Sequence, residues 1–388
     1  LLILLITVLI FLLYLIYERI LLNRWINSIP LRISVTGTRG KSSVVRILAS
    51  ILRENGKKVL AKTTGSEAKY ILPDGNEIEV PRRGITSIIE QKKLLKKAAS
   101  LQVDCVVAEI MSIHPENHFV ESHQMLKPNI VIITNIRLDH TDVMGKTKDE
   151  IAAVFCLDIP QRAKVFIPEA ENRLIFQDHV KNTEANLISV NKGCSSSLKS
   201  DSGLKQFSNN LDLVYAVANY LNIEEKNISA GIRRAKLDIG QLQIWKYQAK
   251  EFQKTTYFVN AYAANDPEST LYAISKINKF LPSASNKLIG LLSLRKDRGD
   301  RTRQWIEALK SGSSDYFSKI FVMGNHAKIV KRKIKCADVL KEHSPEIITN
   351  TILKEIEDQA VIFGFGNIGG TGKLLVDYWN QIGEEYGI

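Results

Sequence analysis

Hydrophobic positions are distributed along this chain in three distinct ways. Residues 1–17, LLILLITVLIFLLYLIY, are apolar except for Thr7, and a second short apolar run at 20–22 follows Glu18 and Arg19. About 20 apolar residues suffice to cross a bilayer core. No small-residue cleavage site follows Tyr17, so the pattern predicts a transmembrane anchor over 1–24 rather than a cleaved signal. Arg19, Arg24 and Arg32 follow the span, which places the rest of the chain on the cytoplasmic side of the cell membrane, single-pass.

Beyond the anchor, short β-branched runs alternate with helical stripes. RISVTG reads as a strand; SVVRILASILREN then puts Val44, Val45, Ile47, Leu48, Ile51 and Leu52 on one helical stripe, with Gly56 as a stop. KKVLAKTT is the next strand. KYIL and EIEV flank a Pro73-Asp74-Gly75 turn and predict a hairpin. IIEQKKLLKKAASL is an amphipathic helix, and its lysines form the wet face. VDCVVAEI and NIVIITNI are Val/Ile-rich, as strands covered on both faces should be. The polar, Ser-rich stretch 190–210 reads as a surface loop. LVYAVANYLNI and ISAGIRRAKL follow as helices. TTYFVNAY, KLIGLLSL, KIFVMG and AVIFGFG are strand candidates of a second unit. The fold class is α/β around mainly parallel sheets, with an N-terminal anchor (1–24), a central domain (31–248) and a smaller C-terminal domain (249–388). No internal repeat is present.

Composition adds two constraints. The 388 residues carry a net charge of +12, which favours anionic partners; no nucleic-acid motif accompanies it, so nucleic acid is not the expected partner. Cys105, Cys156, Cys194 and Cys336 form no C-x-x-C and no zinc spacing, which fits reduced structural thiols, with Cys105 buried in its apolar run.

Candidate chemistry begins at SVTGTRGKSS, residues 34–43. The long phosphate-loop pattern G-x-x-x-x-G-K-[ST] lacks its first glycine, because Val35 stands there. What remains is G-T-x-G-K-S between a strand and a helix. Gly37 and Gly40 let backbone N–H groups approach phosphate oxygens, the helix start adds a positive dipole end, Lys41 supplies a full charge, and Ser42 suits Mg²⁺. Open parallel sheets bind ligands beyond the carboxyl ends of their strands. Glu109 stands at one such end, and Asn135, Asp139, His140 and Asp142 at another. Ser42, Glu109 and His140 could share one or two Mg²⁺ ions, which take few protein ligands. The C-terminal GFGNIGGTG, residues 364–372, has only sixteen residues after it, too few for a dinucleotide-binding unit; a tight strand-to-helix turn is expected.

G-T-R-G-K-S, A-E-x-M-S and T-N-I-R-L-D-H-T-D together resemble the ATPase core of the Mur ligase superfamily. That family's loop is the short form, which accounts for the absent glycine. The resemblance implies a Mur-ligase-like P-loop ATPase domain followed by a Rossmann-like C-terminal domain. It implies ATP binding by Gly37, Thr38, Arg39, Gly40, Lys41, Ser42 and Ser43, and metal binding by Ser42, Glu109 and His140. NAYAANDPES resembles the start of the family's C-terminal domain and places Asn265 near the nucleotide. Two departures stand out. Ala264 replaces the family's usual His, and the place of its carbamylated Lys falls near Cys156, so magnesium would be positioned without a carbamate.

Only about thirty residues precede Ser34, which leaves no room here for the sugar-nucleotide domain of the peptidoglycan ligases. The apolar start, R-R-G before I-x-x-I-I-E-Q, and G-F-G-N-x-G-G-x-G are similar to the ligase subunits of poly-γ-glutamate synthases, the PgsB/CapB type. That implies an ATP-dependent, ADP-forming amide ligase acting through an acyl phosphate. Lys41, His140 and Arg298 would be catalytic, and Arg82 and Arg83 would clamp glutamate carboxylates, ordinary surface charge being the alternative for those two. Glutamate, poly-γ-glutamate, the lipid bilayer and membrane partner subunits of an export complex are the implied partners, with a homo-oligomer possible. A folylpolyglutamate synthase relative, or a tethered P-loop ATPase without ligase activity, are the alternatives.

Overall fold

Short runs of Val, Ile and Leu build the first sheet from β1 (Leu31–Thr36), β2 (Val59–Lys62), β3 (Lys69–Ile71), β4 (Glu77–Glu79), β5 (Cys105–Glu109), β6 (Ile130–Ile133), β7 (Lys164–Pro168) and β8 (Asn186–Val190). The structure, a computed structural model, describes residues 1–64, 68–82, 86–196, 198, 208–236, 242–249, 254–262, 264, 266–277, 281, 288–296, 299–356 and 359–386. These divide into two units, Leu1–Leu237 and Asp238–Ile388.

In the first unit the strand order is β4-β3-β2-β5-β1-β6-β7-β8. Strands β2, β5, β1, β6, β7 and β8 pair in parallel; β3 and β4 form the antiparallel hairpin expected around Asp74-Gly75. The helices are α1 (Leu2–Asn27), α2 (Lys41–Glu54), α3 (Ile89–Leu101), α4 (Pro115–Phe119), α5 (Lys148–Cys156), α6 (Leu174–Thr183), α7 (Ser208–Tyr220) and α8 (Glu225–Arg234), with a π-helical turn at Val120–Leu126. Alternation along the strands divides the core. Ile33, Val35, Val107 and Ile132 face α2, α7 and α8, while Val106 and Ala108 join Leu94 and Leu95 of α3 on the other side. The stripe predicted for α2 is fully buried, each large side chain contributing on the order of 1.5–3 kcal/mol. This anchors the helix that follows the Gly37–Gly40 loop.

Helix α1 is long and apolar enough to cross a membrane, with a mean hydropathy of 2.3 over its most apolar window, none of it buried. Its far end is part of the domain core: Leu22, Ile26 and the following Ile29 pack with Leu60, Leu94 and Leu95. Glu18 pairs with Lys92 at 2.9 Å, and Arg19 Nη1 donates to the Gln124 carbonyl at 3.3 Å. Arg32 donates through Nε to the Lys127 carbonyl at 3.0 Å and through Nη1 to the Ile29 carbonyl at 2.5 Å. Arg19 and Arg32, expected only as charges flanking a span, are therefore also hydrogen-bonded into the fold.

The second unit holds β9 (Gln243–Ala249), β10 (Lys254–Asn260), β11 (Leu288–Leu294), β12 (Phe317–Gly324), β13 (Ala337–Val339), β14 (Gln359–Gly366) and β15 (Glu384–Glu385), in the order β13-β12-β11-β14-β10-β9-β15. Its helices are α9 (Pro267–Ile277), α10 (Gly299–Lys310), α11 (Ala327–Lys333), α12 (Pro345–Lys354) and α13 (Thr371–Ile382). Strand β9 pairs antiparallel with β10, so this unit starts ahead of the boundary expected at 248. Tyr257 and Val259 face one cluster and Phe258 the other, where it stacks on Trp379 at 4.9 Å. Within the polar stretch 190–210, residues 197 and 199–207 lie outside the described residues. Gly193 and Ser195 are drawn in by Asp212 of α7, with the Ser195 hydroxyl 2.5 Å from its carboxylate and fully buried.

Candidate active site

The loop after β1 turns on two glycines with positive φ, +118° at Gly37 and +83° at Gly40. A Cβ at Gly37 would lie 2.3 Å from Thr134 Oγ1, so the loop backbone runs directly against the end of β6. Asn135 braces it there. The Thr38 N–H donates to the Asn135 carbonyl at 3.0 Å, the Arg39 N–H to Asn135 Oδ1 at 3.1 Å, and Asn135 Nδ2 donates back to the Arg39 carbonyl at 2.9 Å. Two loop amides are thus occupied. Helix α2 then begins at Lys41 on Gly40, with no side-chain cap. The first N–H groups of a helix lack intrahelical partners, and an uncapped start is a ready anion site. Lys41 Nζ lies over this turn, donating to the Gly37 carbonyl at 2.7 Å.

Strand pairing brings the carboxylate to the loop: Val35 of β1 is in register with Glu109 of β5. Ser42 Oγ donates to Glu109 Oε2 at 2.8 Å, and so does the Thr64 N–H at 2.8 Å. Glu109 is buried. Beneath it, Gln91 Nε2 donates to the Glu109 carbonyl at 3.1 Å and to Glu121 Oε1 at 2.5 Å. Glu121, presented inward by the π-helical turn, also accepts from the Met111 and Ser112 N–H groups, both at 3.1 Å. Burial pushes its carboxyl pKa up, against the pull of those hydrogen bonds.

Arg82, expected as a substrate clamp, donates through Nε at 2.8 Å and Nη2 at 3.3 Å to Glu90, which also holds the fully buried Lys62 ammonium at 3.1 Å. Burial lowers the Lys62 pKa, and Glu90 opposes that. In this structure Arg82 is tied into an internal ion-pair network. Arg83, Asn265 and Arg298 lie outside the described residues.

His140 has φ +46°, unusual for a residue with a side chain, and its N–H donates to Asp139 Oδ1 at 2.8 Å. Asp139 in turn pairs with Arg39 of the loop at 3.3 Å. Ser42 and Glu109 are together, and among the described residues no group of three His, Cys, Asp or Glu is clustered as a metal cage. Cys156 is buried, its Sγ 3.8 Å from the Ile175 carbonyl, and burial aided by Asp158 pushes the thiol up to about 12.

The support under the loop is not legible in the sequence. Asp158, fully buried, accepts from Thr36 Oγ1 at 2.6 Å, from Ser122 Oγ at 3.2 Å, and meets His118 Nδ1 at 2.9 Å. Thr36 is the residue before Gly37. Only the tertiary fold joins positions 36, 118, 122 and 158, and the available signal was a lone Asp in the apolar stretch FCLDIP. The site offers a helix start without a side-chain cap, the Lys41 ammonium, and a hydroxyl–carboxylate pair of hard oxygens. That set suits a polyphosphate and an oxygen-preferring divalent cation.

The chain matches the Mur ligase middle domain over residues 35–229 and the poly-gamma-glutamate synthase CapB C-terminal domain over residues 246–382. It is 30% identical over 375 residues to the PGA synthase CapB of Bacillus subtilis, covering 91% of each chain. To the capsule biosynthesis protein CapB of Bacillus anthracis it is 28% identical over 376 residues, 94% of this chain and 79% of that one. Among solved structures, E. coli FolC in complex with ADP is similar with a TM-score of 0.72 at 15% identity, over 94% of both chains. The bifunctional folylpolyglutamate synthase/dihydrofolate synthase of Yersinia pestis, complexed with AMPPNP and a Mn ion, gives 0.70 at 14% identity, over 93% of this chain and 92% of that one. At such identities these structures show the fold alone: a mixed α/β Mur-ligase and FolC-like architecture.

Proposed function

Because the chain belongs to the Mur ligase family, and within it to the CapB-type poly-γ-glutamate synthases, we propose that it is an ATP-dependent amide ligase that builds poly-γ-glutamate. The observation that carries the chemistry is the Ser42–Glu109 pair, 2.8 Å apart beside the uncapped start of α2. A phosphate chain laid on that helix start meets the dipole and the Lys41 ammonium. Ser42 and Glu109 would hold a divalent ion, Mg²⁺ by preference for oxygen ligands, and His140 would complete its surroundings. When bound, that ion supplies neutralisation of phosphate charge.

The reaction has two steps. A glutamate γ-carboxylate oxygen bonds to the γ-phosphorus of ATP as the bridging P–O bond breaks, giving an acyl phosphate and ADP. An amine then bonds to the acyl carbon, the carbon–oxygen bond to phosphate breaks, and the amine loses its proton. Phosphoryl transfer depends mainly on positioning and charge stabilisation, which Lys41 and the helix start provide. Lys41 Nζ spends one of its three donors on the Gly37 carbonyl, which steers the ammonium over the loop and leaves two donors for phosphate oxygens.

Helix α1 is the proposed single-pass anchor, with the catalytic units on the cytoplasmic face, where ATP is available. Membrane partner subunits that export the polymer complete the proposal. The folylpolyglutamate alternative rests on shared fold only. The deciding experiment is phosphate release from ATP by the membrane-embedded chain, with and without glutamate and a short γ-glutamyl primer, in the presence of hydroxylamine. Glutamate-stimulated release with a trapped γ-hydroxamate is expected. ATP turnover indifferent to every amino acid would sink the ligase proposal.

A further inference from the structure

Helix α2 carries a polar stripe along an otherwise apolar buried surface. Arg46, Ser50 and Arg53 recur at i, i+4 and i+7, on one side of the helix. Arg46 is 5% exposed and Ser50 2%, while Arg53 is half-buried, so the stripe runs from the interior to the mouth of a cavity. It lines a cavity of about 390 Å³ whose other walls include Asp74 and Glu77 of the β3–β4 hairpin and Lys236 beyond α8. The volume falls within the range of small-ligand sites.

The charges in this cavity are unevenly satisfied. Glu77 is held by Arg46 Nη1. Glu54 is held by Arg234 Nη1 through both oxygens, at 2.7 and 2.8 Å. Asp74 closes its own turn, accepting from the Asn76 N–H at 2.9 Å and from Asn76 Nδ2 at 2.8 Å. Each lining carboxylate therefore has a partner. On the cationic side, Arg46 Nε and Arg53 Nη1 are buried without one. Burial also lowers the pKa of Arg53, with Glu54, Asp74 and Glu77 only opposing it from a distance. Arg46 is already engaged, through Nη1, by Glu77 and by the Lys236 carbonyl at 3.5 Å, whereas no side-chain hydrogen bond or ion pair among the described residues holds Arg53, so Arg53 is the guanidinium in this wall that lacks an acceptor.

We propose that this cavity binds a small oxyanion, a carboxylate or a phosphate, held by Arg46, Arg53 and Lys236. It is separate from the phosphate loop. Arg53 stands twelve residues beyond Lys41, roughly 18 Å along the helix axis. The planar guanidinium fork matches either oxyanion, and the four cations of the lining, Arg46, Arg53, Arg234 and Lys236, outnumber its three carboxylates. Because the site lies on the body of α2, it belongs to the same rigid element that presents the phosphate loop.

The test uses the full-length, detergent-solubilised chain carrying Lys41→Ala, so that the phosphate loop does not dominate the signal. Inorganic phosphate and glutarate are titrated separately at constant ionic strength, followed by calorimetry and thermal shift. Saturable binding of at least one is expected, weakened tenfold or more by Arg53→Met and severalfold by Lys236→Ala. Binding of phosphate alone would assign a phosphoryl ligand, and of glutarate alone a carboxylate one; both sustain the site. Lys236→Ala, at the end of α8, keeps the test decisive if Arg53→Met fails to fold. No saturable binding of either probe, or binding untouched by both substitutions, would overturn the proposal and leave a water-filled cavity.

Discussion

Each unit has a glycine-rich turn between a parallel strand and a helix, and the two turns do opposite things. After β1, the turn is held open. Asn135 takes two of its amides from the side, and Ser42 and Glu109 stand beside it. After β14, the turn closes on itself. The Asn367 N–H donates to the Ser293 carbonyl at 3.0 Å, Asn367 Oδ1 accepts from the Gly369 N–H at 2.7 Å, and a Cβ at Gly366 would meet the Ser293 carbonyl at 2.4 Å. The cavity there is about 20 Å³, room for little more than one water. Glycine spacing alone therefore does not make a nucleotide site. What sets the open turn apart is the Glu109 carboxylate that the neighbouring strand brings to Ser42.

The comparison breaks most sharply at Lys41. Lys41→Ala should lower glutamate-dependent ATP turnover by about 10²–10³-fold or more, as for loss of a group that stabilises charge on the transferring phosphate. Lys373→Ala, just inside the helix after the closed turn, should change turnover less than about threefold on the expectation that no phosphate sits there. Comparable losses in steady-state assays would show that both turns handle phosphate. Next in size is Glu109→Gln, which keeps a Ser42 acceptor but removes the charge. The apparent affinity for Mg²⁺ should fall about 10–100-fold, with turnover partly restored at high Mg²⁺. An unchanged Mg²⁺ dependence would take Glu109 out of the ion site.

The two turns also separate by backbone. Gly37→Ala places a methyl 2.3 Å from Thr134 Oγ1 at φ +118°, so the loop must move and turnover should collapse with it. Gly370→Ala meets no atom within 4 Å, and only its φ of +66° is unfavourable. It should cost on the order of 1–3 kcal/mol in unfolding free energy while turnover per folded molecule is kept. Denaturant melts paired with active-site titration distinguish the two. A Gly37→Ala chain with full turnover would mean that the loop's close approach to β6 is incidental.

What could be read in advance follows the range of the interactions. The phosphate loop, the hairpin at Asp74-Gly75, the buried face of α2 and Glu109 at a strand end each rest on contiguous residues or on a strand register that apolar runs imply. Strand β9 was missed because its QIWKYQA pattern has mixed polarity and is fixed by pairing with β10. Arg82 is expected from the sequence as a substrate clamp, and nothing local reveals that Glu90 meets it across eight positions. The Asp158–His118–Thr36 support spans 122 positions and becomes visible only when the sheet is assembled.

That support offers the smallest and most selective contrast. The open turn rests on a buried imidazole–carboxylate pair, His118 with Asp158, whereas the closed turn rests on backbone hydrogen bonds. Burial by itself lowers the His118 pKa; the Asp158 charge and hydrogen bond outweigh it, Glu121 adds to them and Lys41 opposes, so the net direction is up. A raised pKa in the folded chain means that folding favours the protonated ring. Its contribution to stability is complete below the ordinary histidine range and is lost as pH rises through the folded value. Hydrogen exchange between pH 5 and 9, corrected for intrinsic rates, should therefore show the amides around Thr36 losing protection towards the alkaline end, while those around Gly366 stay level. His118→Gln should flatten the first profile and leave the second alone. If the wild-type profiles run parallel, or if His118→Gln retains the slope, the pair does not carry the pH dependence of the loop's root, and the two turns differ only in what surrounds their amides.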